Sequence, residues 1–173
     1  MSATTEDRLL GGRVLLRQPM EGFRAGLDAV LLAAFVPAAP GQRVLEAGCG
    51  TGAVFLCLAA RVPGLSVTAV EREAAMAALA RGNAATNGVA AEVIEGDVAD
   101  LALARGIAPC DHAFANPPYW PGGTPPPGAL RRAATHEGGA GLAPWACFLA
   151  AGLRTGGTAS LVLPAERFAA GAA

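Results

Sequence analysis

The run Asn116-Pro117-Pro118-Tyr119-Trp120 gathers hydrogen-bond acceptors and an aromatic face into five residues. Two prolines fix φ and carry no N–H, so the carbonyls around them stay free to point into a cleft. The Asn116 side chain adds a further acceptor oxygen. Tyr119 offers a face on which a base can stack, a contact of about 1–3 kcal/mol per base, and Trp120 extends it. Such a corner suits an exocyclic aromatic amine such as adenine N6, whose lone pair is delocalised into the ring. Accepting its two N–H groups at the Asn116 side-chain oxygen and the Pro117 carbonyl pushes the nitrogen toward tetrahedral geometry. The lone pair then becomes available for attack. No strong base is needed, because the alkylated amine is transiently cationic and acidic; orientation and preorganised dipoles carry the chemistry.

A second constellation lies upstream, in Glu46-Ala47-Gly48-Cys49-Gly50-Thr51-Gly52. Glycines at 48, 50 and 52 allow a tight turn and close approach of a ligand, and a helix beginning after them presents free N–H groups. Gly48 to Ala53 also satisfies the dinucleotide fingerprint G-x-G-x-x-A, with Glu71 about 20 residues on as a ribose ligand. Spacing alone does not separate a dinucleotide from S-adenosylmethionine. Glu46 does: it sets a carboxylate beside a pyrophosphate in one case and near an ammonium in the other. The second pairing is the favourable one. Asp97 is placed to accept from an adenine amine while Glu71 takes both ribose hydroxyls.

These residues need a scaffold that presents loops at one edge. Apolar residues Leu27, Val30, Leu31 and Phe35 recur at helical spacing between Gly26 and Val36, and Pro37 stops that helix. Residues 43–47, 67–70, 92–95, 112–115 and 160–163 read as short strands. Helices are predicted from about Val54 to Pro63, from Glu73 to Asn87 with Gly88 as a left-handed cap, and over 142–153, with Gly156-Gly157 as a turn. Residues 1–24 read as an arm or short strand. Strands alternating with helices imply right-handed βαβ units and a mostly parallel sheet with helices on both faces. Ligands of such sheets bind beyond the carboxyl ends of the strands, where both constellations fall.

The glycine loop together with Asn116-Pro117-Pro118-Tyr119 resembles the class I S-adenosylmethionine-dependent methyltransferases that act on amino groups. The stretch Gln18 to Leu32, with Ala134-Thr135-His136-Glu137, further resembles the bacterial enzymes that methylate an anticodon-loop adenine of valine tRNA at N6. The resemblance runs from about Leu9 to Phe168. It implies a Rossmann-like sheet in one domain: an N-terminal arm and helix over 1–41, then a core over 42–163. It also implies S-adenosylmethionine as cofactor, tRNA as partner, and positions for Arg24 and Asp28 near the cofactor. The implied site thus comprises Asn116, Pro117 and Tyr119 for catalysis. Arg24, Asp28, Glu46, Gly48, Cys49, Gly50, Gly52, Glu71, Asp97 and Asn116 bind the cofactor. Relatives of this type carry an antiparallel edge hairpin after the strand at Leu161, and this chain ends ten residues after Leu163. The hairpin is therefore expected to be missing. A bare edge at Ser160-Leu161-Val162-Leu163 would favour a covering partner or self-association.

Composition sets the remaining bounds. With 173 residues, 53% of them hydrophobic and 16% charged, the chain is one domain's worth and is not a disordered segment. No apolar run reaches the roughly 18 residues of a membrane span, and the N-terminus lacks the basic start and apolar stretch of a secretory signal, so the cytoplasm is expected. Net charge is −1 and every basic residue is arginine, without the strongly basic footprint of a nonspecific nucleic-acid binder. Four cysteines with no CxxC pair, and two histidines, suggest no zinc site or disulfide framework. His112 reads as a strand packing residue and His136 as a loop residue. Residues 121–141 form a long Pro- and Gly-rich segment in which Arg131 and Arg132 suit phosphates. Methylation of a protein glutamine amide, a noncatalytic cofactor- or RNA-binding remnant, and a dehydrogenase stand as alternatives.

Overall fold

The computed structural model describes residues 3–21, 24–118 and 141–165. The arm is two strands, β1 (Thr4–Leu9) and β2 (Val14–Pro19), antiparallel and joined by a 3-10 turn at Leu10–Gly12. Then follow α1 (Leu27–Phe35), β3 (Arg43–Ala47), α2 (Ala53–Arg61), β4 (Ser66–Glu71), α3 (Ala74–Thr86), β5 (Ala91–Glu95), α4 (Leu101–Gly106), β6 (Cys110–Ala115), α5 (Ala143–Gly152) and β7 (Leu153–Leu161). The last five strands form one sheet in the order β5-β4-β3-β6-β7, and every pairing in it is parallel.

Side chains alternate across this sheet with period two, and each face buries its own core. Val44, Val67, Ala69, Val93 and Phe114 face α1, α2, α3 and β2. Leu45, Ala47, Val70, Ala113 and Ala115 face α4 and α5, where Phe148 and Leu149 are fully buried. The strands are apolar on both sides because both faces are covered, as a parallel sheet requires.

Most predicted elements stand within a residue or two of their expected bounds, and three details differ. Helix α1 buries Ala29, Leu32 and Ala33, while Leu27, Leu31 and Phe35 are 69%, 53% and 76% exposed. The helical period was legible, but the face was not, because alanines suffice where α1 meets α2. Helix α4 was not predicted; Asp100 caps it, accepting from the Ala102 and Leu103 amides at 2.9 and 3.1 Å. The expected turn at Gly156-Gly157 lies inside β7. Cys110 pairs with Leu153 but His112 pairs with Thr158, so residues 154–157 bulge out, with Gly156 at φ 78°.

Candidate active site

Strand order reverses between β3 and β6, and the glycine loop and Asn116-Pro117-Pro118 lie at that point. Ala47 and Ala115 are register partners there, so Gly48 and Asn116 leave the sheet together. Asn116 directly follows β6. Its side-chain oxygen is buried and has no hydrogen-bond partner among the described residues. Pro117 beside it is buried and donates no N–H. A buried acceptor left unpaired costs about 1–3 kcal/mol, which is why such atoms are rare outside working sites. Tyr119, Trp120, Arg131, Arg132 and residues 134–137 lie outside the described residues.

The glycine loop turns through three left-handed residues, Gly48, Gly50 and Gly52, at φ 66°, 55° and 89°. They differ in what surrounds them. A Cβ on Gly48 would stand 2.6 Å from the Trp145 ring, and one on Gly52 would stand 2.5 Å from the Phe55 ring. At Gly50 there is nothing within 4 Å. Glu71, at the end of β4, braces the loop: its two oxygens accept the Gly50 and Glu73 amides, each at 2.8 Å. The Cys49 amide donates to the Val70 carbonyl at 3.0 Å.

Glu46 is only 1% exposed and accepts the Phe55 amide at 3.0 Å, in the first turn of α2. Burial pushes its carboxyl well above the usual range, against the lowering effect of that hydrogen bond, and the charge of Glu71 adds to the rise. The Cys49 thiol is likewise pushed well up by burial and by Glu46 and Glu71. The Cys57 thiol is pushed up to about 11, chiefly by burial. Neither thiol is a ready nucleophile. His112 is a packing residue, as expected, held between the Thr158 hydroxyl at 2.7 Å and the Gln42 side-chain oxygen at 2.9 Å. Among the described residues no group of three His, Cys, Asp or Glu could hold a metal ion, and no helix is long and apolar enough to cross a membrane.

The family described as "Methyltransferase domain" matches residues 44–121, which contain both constellations. Residues 44–121 are thus similar to a methyltransferase domain. A tRNA1(Val) (adenine(37)-N6)-methyltransferase of Shewanella sp. (strain MR-4) is 32% identical over 151 residues, 86% of this chain and 64% of that one. The chain thus spans less than two thirds of that relative's length. A predicted O-methyltransferase from Agrobacterium tumefaciens has a TM-score of 0.62 at 29% identity, covering 83% of this chain and 64% of that one. A SAM-dependent methyltransferase from Geobacter sulfurreducens, solved in complex with S-adenosyl-L-homocysteine, has a TM-score of 0.51 at 26% identity, covering 77% of this chain and 46% of that one.

The matched segment fits the cofactor of such methyltransferases on two observations. Gly50 fronts open space that any side chain would fill, and each Glu71 oxygen keeps acceptor capacity beyond its one amide. The other expected ligands are placed less directly. Arg24 pairs with Asp7 and donates to the Thr5 hydroxyl at 2.7 Å and the Pro19 carbonyl at 3.2 Å, so it is tied into the β1–β2 hairpin. Asp28 is exposed in the first turn of α1. Asp97 accepts the Ala99 amide at 2.9 Å and lies 3.8 Å from Arg72. Two residues around the glycine loop escaped the sequence reading: Trp145, whose ring packs on Gly48, and Asn83, whose amide reaches the Thr51 carbonyl. The signal for Asn83 was present, since Asn83 and Asn87 are polar residues four apart on an alanine-rich helix.

Proposed function

We propose that this domain transfers a methyl group from S-adenosylmethionine to an exocyclic amine, adenine N6 of a tRNA, in the cytoplasm. The observation that carries the reading is the buried Asn116 oxygen at the strand-order reversal, without a partner among the described residues. A primary aromatic amine brings the two N–H groups that such a corner lacks. Asn116 accepts one of them and the Pro117 carbonyl the other, which localises the lone pair on nitrogen. When bound, the cofactor supplies an electrophilic methyl carbon.

The chain's own groups do the positioning. Gly48 and Asn116 emerge from neighbouring strands, about 4.8 Å apart in a sheet, so the cofactor loop and the acceptor corner share one crevice. Glu71 holds the loop and retains acceptor capacity for ribose hydroxyls. Glu46 serves from beneath: it anchors the first turn of α2 at the Phe55 amide. The product amine sheds its proton to water, so the corner needs no strong base of its own. An adenine in a single-stranded anticodon loop reaches such a crevice at lower cost than one stacked in a duplex.

The relative from Shewanella supports tRNA as substrate through its name alone. Titration with S-adenosylhomocysteine and with NADH tests the cofactor; only the first should bind. Methyl-labelled cofactor with bulk tRNA, and separately with a glutamine-containing peptide, tests the acceptor. Label in the tRNA supports the reading, and label in the peptide alone replaces it with amide methylation.

A further inference from the structure

Helix α3 offers the β1–β2 hairpin an imitation of a strand. The Asn87 side chain accepts the Leu15 amide at 2.9 Å and donates to the Leu15 carbonyl at 2.7 Å. One turn earlier, the Asn83 side chain accepts the Arg17 amide at 2.9 Å and donates to the Arg17 carbonyl at 2.9 Å. The spacing explains why it works. Four residues of helix rise about 6 Å and two residues of strand about 6.6 Å, so two asparagines four apart meet two strand residues two apart. The free edge of β2 is thereby satisfied without a third strand.

The two rungs are not equivalent. Asn87 spends its remaining donor within α3, on the Asn83 carbonyl at 2.8 Å. Asn83 sends its own to the Thr51 carbonyl at 2.9 Å, in the middle of the glycine loop. Asn83 is 2% exposed and Thr51 6%, so water does not compete for these bonds. The hairpin in turn holds the segment leading to α1. Gln18, 2% exposed, accepts the Ala25 amide at 2.8 Å and donates to Asp7 at 2.9 Å, and Arg24 pairs with the same Asp7.

Building on the cofactor reading above, we propose that Asn83 is a positioning residue that couples the N-terminal hairpin to the cofactor loop, so that filling the loop tightens the docked hairpin. Its one amide group bonds both parts, and a loop held by ligand fixes the Thr51 carbonyl and, through Asn83, the backbone of Arg17. By linkage the converse holds: a docked hairpin raises affinity at the loop. The N-terminal hairpin and the cofactor site then assemble together.

Amide hydrogen exchange of the whole chain, with and without saturating S-adenosylhomocysteine, reads this coupling. In the natural sequence the ligand is expected to slow exchange at the Arg17 amide severalfold. In Asn83→Ala that response disappears and affinity falls about tenfold, the scale of one severed coupling of this kind. In Asn87→Ala the Leu15 amide exchanges faster from the outset, but the ligand still slows Arg17, because the bond to Thr51 remains. Ligand binding with no change at Arg17 in the natural sequence overturns the coupling, whether or not Asn83→Ala folds; so does a response that survives in Asn83→Ala. A chain that binds no S-adenosylhomocysteine overturns the cofactor reading instead, and the coupling with it.

Discussion

Ala47 and Ala115 lie opposite one another on the parallel strands β3 and β6, and that register sets Gly48 beside Asn116. Two motifs nearly seventy residues apart in sequence become one crevice because Gly48 and Asn116 each stand one residue past a strand end. The sheet supplies the alignment, and helices on both faces hold it rigid.

Gly50 and Gly52 should separate cleanly on substitution. Gly50→Ala meets open space, so its cost to stability is limited to the left-handed backbone, roughly 1–2 kcal/mol, while its methyl group intrudes where ligand would lie. Gly52→Ala adds a collision with the buried Phe55 ring, and overpacking of that kind costs a further 1–3 kcal/mol or so. Calorimetry and thermal melts on both variants should show Gly50→Ala losing more affinity for S-adenosylhomocysteine than stability, and Gly52→Ala losing much of both.

Glu46 makes stability depend on pH. Its carboxyl titrates well above the ordinary value of 4.5 in the folded chain, so the folded state holds the proton more tightly than the unfolded one. Stability is therefore fully present below 4.5 and declines as pH rises toward the folded value, by up to about 1.4 kcal/mol per unit. Glu46→Gln keeps an acceptor for the Phe55 amide and removes the titration. Denaturant melts from pH 4 upward should show the natural chain weakening relative to Glu46→Gln, and parallel curves would refute the assignment.

Removing the Asn116 amide should not harm the fold. Its oxygen has no partner among the described residues, so Asn116→Ala forfeits no bond at that atom and relieves an unsatisfied acceptor. The melting temperature should hold or rise. A fall of many degrees would mean that this oxygen has a structural partner after all.

Strand β7 lies at the sheet edge, and no described strand pairs with its outer side. The bulge at 154–157 leaves only Thr158–Leu161 straight enough to pair, and Ala159 there is exposed. Light scattering should detect concentration-dependent association that Ala159→Lys suppresses, since a charge on an edge strand blocks pairing. A monodisperse natural chain at high concentration would count against this.

Much of this architecture was readable from residue order. The five sheet strands and the helices over 53–61 and 74–86 were marked by apolar runs and by glycine or proline boundaries. Their parallel arrangement followed from alternation. What escaped depended on partners far away in sequence. The buried face of α1 is set by alanines that meet α2, and an alanine-rich chain leaves that choice invisible. The role of Asn83 exists only once β2 lies against α3. Glu46 was read as facing an ammonium; that one of its oxygens accepts the Phe55 amide of α2 is a contact that only the fold creates.

The central claim, that Asn116 presents its oxygen to a nucleobase amine, is tested most directly by mass spectrometry of nucleosides from tRNA treated with enzyme and S-adenosylmethionine. The natural chain should yield N6-methyladenosine. Asn116→Ala, still binding S-adenosylhomocysteine, should yield it about 100-fold more slowly or less, the scale of losing one preorganised hydrogen-bonding group. Equal yields from the two proteins, or none from a natural chain that binds the ligand, would contradict the account.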